Sequence, residues 1–141
     1  MNRQSARSLV HEVASGWAAD DASDVVWAGE HDGRIGVRMA QQTRDYTTLW
    51  FDVGDITVGF EAYLLPAPPR DPAEVYRQCL VRNMTSWPAH LALDRDGELV
   101  VVGRIPLALL SREELDRVLG AVYQLVELAF RPLVRAGFTA P

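Results

Sequence analysis

Three histidines are the first candidates for chemistry, because imidazole serves both as a general acid or base and as a metal ligand. They are His11, His31 and His90, and none lies in a metal-ligand spacing such as H-E-x-x-H. His31 is the best placed for acid–base work because Asp32 follows it, yet the sequence pairs no nucleophile with it. We therefore predict surface or interface histidines, no catalytic residues and no metal site.

Two short motifs imitate known binding loops. Asp94-Arg95-Asp96-Gly97-Glu98 begins like a calcium loop, but the positions that need Gly and a final Glu hold Leu99 and Ile105. The stretch 54–59 has the glycine spacing of a phosphate loop, yet Phe60-Glu61 follows where Lys and Ser or Thr should stand. The acidic motif is predicted to be a hairpin turn, and we predict no cofactor.

Cys79 and Asn83 are the remaining chemical candidates. Cys79 is the only cysteine, and its place on the apolar side of a predicted helix favours a buried structural thiol. Asn83-Met84-Thr85 fits a glycosylation acceptor. The N-terminus lacks the apolar run of a secretory signal, and no stretch approaches the roughly eighteen apolar residues of a membrane span. We expect a cytoplasmic protein in which the sequon has no role.

The composition bounds the partners and the number of domains. A chain of 141 residues is long enough for one domain with a core, so residues 1–141 are predicted to form a single domain. All 14 basic residues are Arg, but the net charge is -5. Affinity for a phosphate backbone comes from an excess of basic side chains, so we predict neither nucleic-acid nor membrane binding.

The elements that must position these residues begin with a helix and two strand segments. Apolar residues recur at helical spacing from residue 3 to residue 19, which predicts an amphipathic helix. The stretch from Val25 to Met39 reads as two strands around Glu30-His31-Asp32-Gly33, or as one long bent strand.

Two hairpins follow, and both are predicted to have two-residue turns. A turn at Gly54-Asp55 gives the pairs Val53 with Ile56, Phe51 with Val58, Leu49 with Phe60, Trp50 with Gly59 and Tyr46 with Tyr63. A turn at Asp96-Gly97 gives the pairs Leu93 with Val100, Leu91 with Val102 and His90 with Gly103. The second hairpin is apolar on both faces, so a helix or a second subunit is expected to cover its outer face.

Two more helices are predicted from their capping residues. Asp71-Pro72-Ala73-Glu74 starts one with an N-cap carboxylate, and Trp87-Pro88 ends it. Its apolar side is predicted to hold Val75, Tyr76, Cys79, Leu80 and Met84. Ser111-Arg112-Glu113-Glu114 is a capping box that opens the last helix, which Gly137 can end.

Scattered positions in this chain resemble the YbjN-like family of actinobacteria over roughly residues 44–138. They are Arg44, Thr48-Leu49-Trp50, Val58-Gly59, the proline-rich connector, Tyr76, Leu80, Asn83, Trp87-Pro88-Ala89, Asp96-Gly97, Gly103-Arg104-Ile105-Pro106 and the long helix from Leu115. That family is similar in shape to type III secretion chaperones, which are small acidic α+β homodimers that hold an unfolded stretch of a client. The resemblance implies a binding or regulatory role without catalytic residues.

These observations predict an α+β fold with a curved antiparallel sheet of about five strands and three helices, in the order α-β-β-β-α-β-β-α. We expect a non-catalytic protein- or peptide-binding module, chaperone-like or regulatory, that acts as a homodimer. The residues predicted to contact a client or the second subunit are Trp50, Leu99, Val101, Tyr123 and Phe130. The alternative is a small-ligand sensor or enzyme with a pocket between sheet and helices, lined by Trp17, Trp27 or Trp50.

Overall fold

Three α-helices and one antiparallel sheet of six strands make up the computed structural model, which describes residues 1–139. The helices are α1 Arg3–Ala19, α2 Pro72–Asn83 and α3 Arg112–Gly137. The strands are β1 Val25–His31, β2 Arg34–Ala40, β3 Tyr46–Val53, β4 Thr57–Leu65, β5 His90–Leu93 and β6 Leu99–Pro106, and a 3-10 turn, Leu107–Leu109, follows β6. Their order across the sheet is β1-β2-β3-β4-β6-β5. The predicted fold class is confirmed, with six strands where about five were expected.

The sixth strand arises at the turn between β1 and β2. Asp32 and Gly33 have positive φ angles of 51° and 79°, the combination that a tight hairpin turn requires. His31 therefore pairs with Arg34, and Gly29 pairs with Gly36. The sequence predicted either two strands or one long bent strand from Val25 to Met39, and the structure has two strands.

The β3–β4 hairpin has a longer loop than predicted. Val53 pairs with Val58 rather than Ile56, because the Gly54 N–H donates to the Thr57 carbonyl and closes the loop there. The register moves by two residues, so every side chain keeps its face, but Ile56 becomes 79% exposed. The other predicted pairs are also wrong: between β3 and β4, Phe51 pairs with Phe60, Leu49 with Ala62 and Trp50 with Glu61. Tyr46 and Tyr63 were predicted to pair with each other, but Tyr46 pairs with Ala40 of β2 and Tyr63 with Val100 of β6.

The β5–β6 hairpin is shifted by one residue from the prediction. The Asp94 N–H donates to the Glu98 carbonyl, which leaves a loop of three residues, 95–97. The loop ends at Gly97, whose φ of 78° is the left-handed conformation that such loops use. Leu93 therefore pairs with Leu99 and Leu91 with Val101, while His90 lies opposite Val102. A shift of one residue exchanges the two faces, so Leu99 and Val101 point into the core rather than sharing a face with His90.

The helix starts follow the predicted capping in one case and depart from it in another. The Ser111 hydroxyl accepts the Glu114 N–H at 3.1 Å, as the capping box predicts. The Asp71 side chain caps nothing, because its residue is left-handed with φ 41°. Its backbone carbonyl instead accepts the N–H groups of Glu74 and Val75.

Helices α1 and α3 cover one face of the sheet. Helix α1 packs on β1, β2 and β3, and α3 packs on β4 and β6, while α2 lies beside α3 and β5. The core includes Val13, Val37, Phe51, Phe60 and Val122, all buried. We call the opposite side of the sheet the open face; it carries Trp27, Arg34, Arg38, Trp50, Glu61 and Tyr63, which remain exposed or half-exposed. Within residues 1–139, no helix is long and apolar enough to cross a membrane.

Candidate protein-binding surfaces

The stretch from Asn83 to Ala89 joins α2 to the sheet. The Asn83 side chain makes two hydrogen bonds with the backbone of Leu91, and the Ser86 hydroxyl donates to the Ala89 carbonyl. Trp87 takes little part in this joint: it is 77% exposed and touches the His90 ring edge-on. Asn83 rather than Trp87 is therefore the residue that holds the junction.

Six exposed apolar side chains lie on α2, on this joint, on β5 and on α3, and we call them the apolar band. Its members are Leu80, Val81, Met84, Trp87, Leu93 and Leu128. Met84 is 87% exposed and Leu80 is 70% exposed, although both were predicted on the buried side of α2. Of the predicted apolar side, Val75 and Cys79 are buried and Tyr76 packs against the core, while Leu80 and Met84 face away from it.

Two shallow cavities are lined in part by members of the apolar band. One, of about 220 Å³, has almost entirely apolar walls and lies between α2 and β5, where Leu80 faces Leu91 and Leu93. The other, of about 190 Å³, lies between the end of α2 and α3, where Trp87 faces Leu125 and Leu128. Members of the band therefore line one groove between α2 and β5 and another between the end of α2 and α3.

The five residues predicted to contact a partner do not come together. Leu99 and Val101 are 1% and 0% exposed in the core, so they offer no surface in this fold. Tyr123 and Phe130 lie half-buried on α3, while Trp50 lies half-exposed on the open face, across the sheet from them. The error at Leu99 and Val101 follows from the one-residue shift of the β5–β6 hairpin.

The open face carries two tryptophans that rest on paired glycines. The Trp50 ring covers Gly36 so closely that an added Cβ would lie 2.6 Å from it, and the Trp27 ring covers Gly29 in the same way. The two indoles meet edge to face, with centroids 6.4 Å apart. The glycines therefore form a floor that fixes both rings against the sheet.

Two arginines lie over these rings. The guanidinium carbon of Arg34 is 5.1 Å from the Trp50 ring centre, and that of Arg38 is 5.7 Å from the Trp27 ring centre. Next to Trp50 the open face has a cavity of about 360 Å³, and a second of about 220 Å³ shares Arg34, Trp50 and Glu61 with it. Stacked guanidinium groups keep their N–H donors at the ring edge, where a ligand can reach them.

Comparison with known proteins identifies the family. The sequence matches the YbjN family, described as "Putative bacterial sensory transduction regulator", over residues 14–134. The chain belongs to the YbjN family. An uncharacterised protein of Mycobacterium leprae is 34% identical over 114 residues, which are 79% of this chain and 62% of that protein. An uncharacterised protein of Mycobacterium tuberculosis is 35% identical over 86 residues, 61% of this chain and 47% of that protein. The YbjN chain thus spans about half to three fifths of these relatives.

Solved structures with a similar fold include a chaperone–effector complex and a heterodimeric complex of a type III secretion system. The ExsC–ExsE complex matches with a TM-score of 0.63 at 17% identity, covering 94% of this chain and 97% of that chain. The HopA1–SchA chaperone–effector complex matches with a TM-score of 0.61 at 15% identity, covering 90% and 94%. At these identities the likeness establishes that the YbjN chain has the chaperone-like fold.

Other candidate groups in this YbjN chain have structural partners. The His11 Nε2 lies 3.2 Å from a carboxylate oxygen of Glu30, and the His31 Nε2 lies 3.2 Å from a carboxylate oxygen of Asp32. Cys79 is buried as predicted, and burial raises the pKa of its thiol. In the predicted hairpin turn, the Asp94 carboxylate accepts the N–H groups of Asp96 and Glu98 at 2.9 Å. Burial and the neighbouring carboxylates of Asp94 and Asp96 raise the pKa of Glu98.

The expected pocket between sheet and helices does not have the predicted lining. Trp17 packs on the core side of the sheet, where its ring centroid lies 6.4 Å from that of Phe51, and its indole N–H donates to the Asp116 carboxylate at 2.7 Å. Trp27 and Trp50 lie on the opposite side of the sheet. The prediction left open which of the three rings lines the pocket, because the sequence does not reveal which face of each strand the helices cover.

Proposed function

We propose that this YbjN-family chain is a non-catalytic protein-binding module, chaperone-like or regulatory, that acts in the cytoplasm as a homodimer of one domain. The observation that carries the proposal is the apolar band on α2, β5 and α3. The band is the contact between the two copies, and a client protein binds elsewhere on the dimer.

The size and exposure of the band support a dimer contact. Monomeric proteins scatter single apolar residues over their surface, whereas a large contiguous apolar patch marks an interface. Leu80 and Met84 lie one turn apart on α2, so a two-fold axis beside this helix brings both against the same residues of a second copy. Burial of such side chains is worth roughly 1.5–3 kcal/mol each, which is enough to hold two small domains together.

The solved neighbours support the client-binding role. Their structures are complexes with partner proteins, including a chaperone with its effector and the ExoU–SpcU complex of a type III secretion system. The Asn83 carboxamide is engaged with Leu91 at both ends, so a glycan on Nδ2 would break that contact and the sequon has no role in the folded chain.

Light scattering on the purified chain tests the dimer directly. The wild type is expected at twice the monomer mass, and a Leu80→Glu/Met84→Glu variant at the monomer mass. The matched control is Ile56→Glu, since Ile56 is also an exposed apolar residue but lies outside the band. A monomeric wild type at all concentrations contradicts the proposal, as does an Ile56→Glu variant that dissociates equally.

Affinity capture from the native host tests the client role. The wild type is expected to retain a specific protein, and the Ile56→Glu variant is expected to retain the same one. A wild type that retains no protein above the level of an unrelated acidic domain contradicts a client-binding function.

A further inference from the structure

The open face is a built surface rather than a sheet face that simply lacks a cover. Gly29 and Gly36 pair across β1 and β2 and leave room for the rings of Trp27 and Trp50. An indole is a large apolar group, and most such rings in a small domain are placed in the core. Here two of them pack against glycines on an uncovered face, and each has a guanidinium over its ring.

The two stacked arginines have unused hydrogen-bond donors. Among residues 1–139, no carboxylate lies within 4.0 Å of Arg38, whose one side-chain hydrogen bond is a long contact of 3.4 Å to the Thr48 hydroxyl. The nearest carboxylate to Arg34 is that of Glu61, at 3.8 Å. By contrast, Arg7 and Arg77 in this acidic chain make close ion pairs. The free donors make Arg34 and Arg38 suited to carboxylates from another molecule.

The spacing along β2 limits what can engage both arginines. Arg34 and Arg38 are four residues apart on the same face of a strand, so their Cα atoms are separated by roughly 13 Å. Carboxylates four residues apart on an extended peptide have the same separation. The Trp50 ring lies over Gly36, midway along β2 between the two arginines, and the Arg34 guanidinium lies over the ring, so the ring edge is the part that meets the side chain midway between the carboxylates.

We propose that the open face binds an extended acidic segment of a client, with carboxylates four residues apart on Arg34 and Arg38 and an apolar side chain between them on Trp50. The cavity of about 360 Å³ beside Trp50 gives that side chain room. This inference rests on the proposed client-binding function. Glu61 and Asp52 on the same face repel a continuous phosphate chain.

The probe is the acetylated and amidated heptapeptide Gly-Glu-Ser-Leu-Ser-Glu-Gly, titrated into the full chain by calorimetry at low and moderate salt. We expect binding that weakens with salt, and a loss of about tenfold or more in Arg34→Gln/Arg38→Gln, because each removed charge-assisted hydrogen bond is worth that much. The matched control is Arg131→Gln/Arg135→Gln on exposed positions of α3, which changes the net charge equally and is expected to stay within about twofold.

Several results overturn the inference. They are an equal loss in both double variants, equal binding of the peptide with Lys in place of Glu, equal binding of free glutamate, and tighter binding of a ten-nucleotide oligo-dT. If the peptide does not bind while the wild type dimerises and captures a client, the acidic-segment site is wrong and the proposed function stands. If the peptide binds through Arg34 and Arg38 to a chain that captures no client, the site stands and the proposed function fails.

Discussion

Asn83 and Leu91 are joined by two hydrogen bonds of 2.8 Å, one in each direction. The Asn83 Nδ2 donates to the Leu91 carbonyl, and the Leu91 N–H donates to the Asn83 Oδ1. Strand β5 is at the edge of the sheet and pairs only with β6, so its outward backbone groups would otherwise lack a partner. A carboxamide carries the same donor and acceptor as a peptide group, and Asn83 thereby takes the place of a neighbouring strand.

Asn83→Ala is expected to lower the free energy of unfolding by about 1–3 kcal/mol, because it removes both hydrogen bonds and leaves backbone groups of Leu91 unpaired. Urea denaturation measures the loss, and hydrogen exchange at the Leu91 amide localises it. Thr85→Ala is the control, since it also destroys the sequon but leaves the contact intact. Equal loss of stability in the two variants contradicts this role for Asn83.

Trp87→Ala separates the two roles open to that side chain. Because Trp87 is 77% exposed, its removal is expected to change the free energy of unfolding by less than about 0.5 kcal/mol. The variant is expected to dimerise more weakly, since Trp87 belongs to the apolar band. Analytical ultracentrifugation across a concentration series, combined with thermal melting, checks both. A large drop in melting temperature in a variant that dimerises normally would show that Trp87 is part of the joint.

Glu127 ties the β2–β3 loop to α3, and this contact predicts a pH dependence. Its Oε2 accepts hydrogen bonds from the Gln41 side chain, the Gln42 N–H, and the N–H and hydroxyl of Thr43, at 2.7 to 3.2 Å. Burial raises the pKa of Glu127, but these hydrogen bonds outweigh it, and the net pKa is below its ordinary value. The stabilisation is therefore present above about pH 4.3, where an unfolded Glu ionises, and is lost as the pH falls below it.

Glu127→Gln is expected to lower the free energy of unfolding by about 1–2 kcal/mol at pH 7, because an amide accepts these hydrogen bonds less strongly than a carboxylate. The difference from wild type is expected to narrow between pH 4.3 and pH 3, since the wild-type carboxylate is then protonated. Thermal melts over this range measure it. Glu113→Gln, at an exposed position of the same helix, is the control. A difference that stays constant down to pH 3 contradicts the prediction.

Gly36→Ala is expected to destabilise the chain by about 1–3 kcal/mol and to displace the Trp50 ring, because the new methyl group would overlap it. Near-ultraviolet circular dichroism reports the ring, and urea denaturation reports the stability. Gly120→Ala is the matched control: nothing lies within 4 Å of an added Cβ there, inside α3. That change is expected to stabilise the chain by about 0.5–1 kcal/mol. An unchanged dichroism spectrum in Gly36→Ala would rule out the floor described for Trp50.

Features set by neighbouring residues could be predicted from the sequence. The Ser111 N-cap and the helix stripe from residue 3 to residue 19 both form as expected, because each depends on contacts within a few residues. The family resemblance added the chaperone-like fold, which local patterns alone do not specify. The buried thiol of Cys79 also followed from its position on the helix.

Features that depend on loop length or on packing between elements could not be predicted. The Asp94 carboxylate stabilises a three-residue loop by accepting two backbone N–H groups, and this moved Leu99 and Val101 from the predicted surface into the core. In helical projection Leu80 and Met84 lie about 140° and about 180° from Val75, so the predicted apolar side was too wide for one face. The packing of α2 against α3 and β5 buries Val75 and leaves Leu80 and Met84 exposed. The candidate site was therefore less accessible to sequence reasoning than the fold.

The glycine floor of the open face also restricts how this sequence can change over time. A side chain at Gly36 is incompatible with the ring of Trp50, and a side chain at Gly29 is incompatible with the ring of Trp27. Replacing either glycine first creates a clash between the new side chain and the indole above it, whereas replacing the tryptophan first removes that clash. Drift at these four positions is therefore expected to proceed in one direction, with loss of an indole preceding loss of the glycine beneath it.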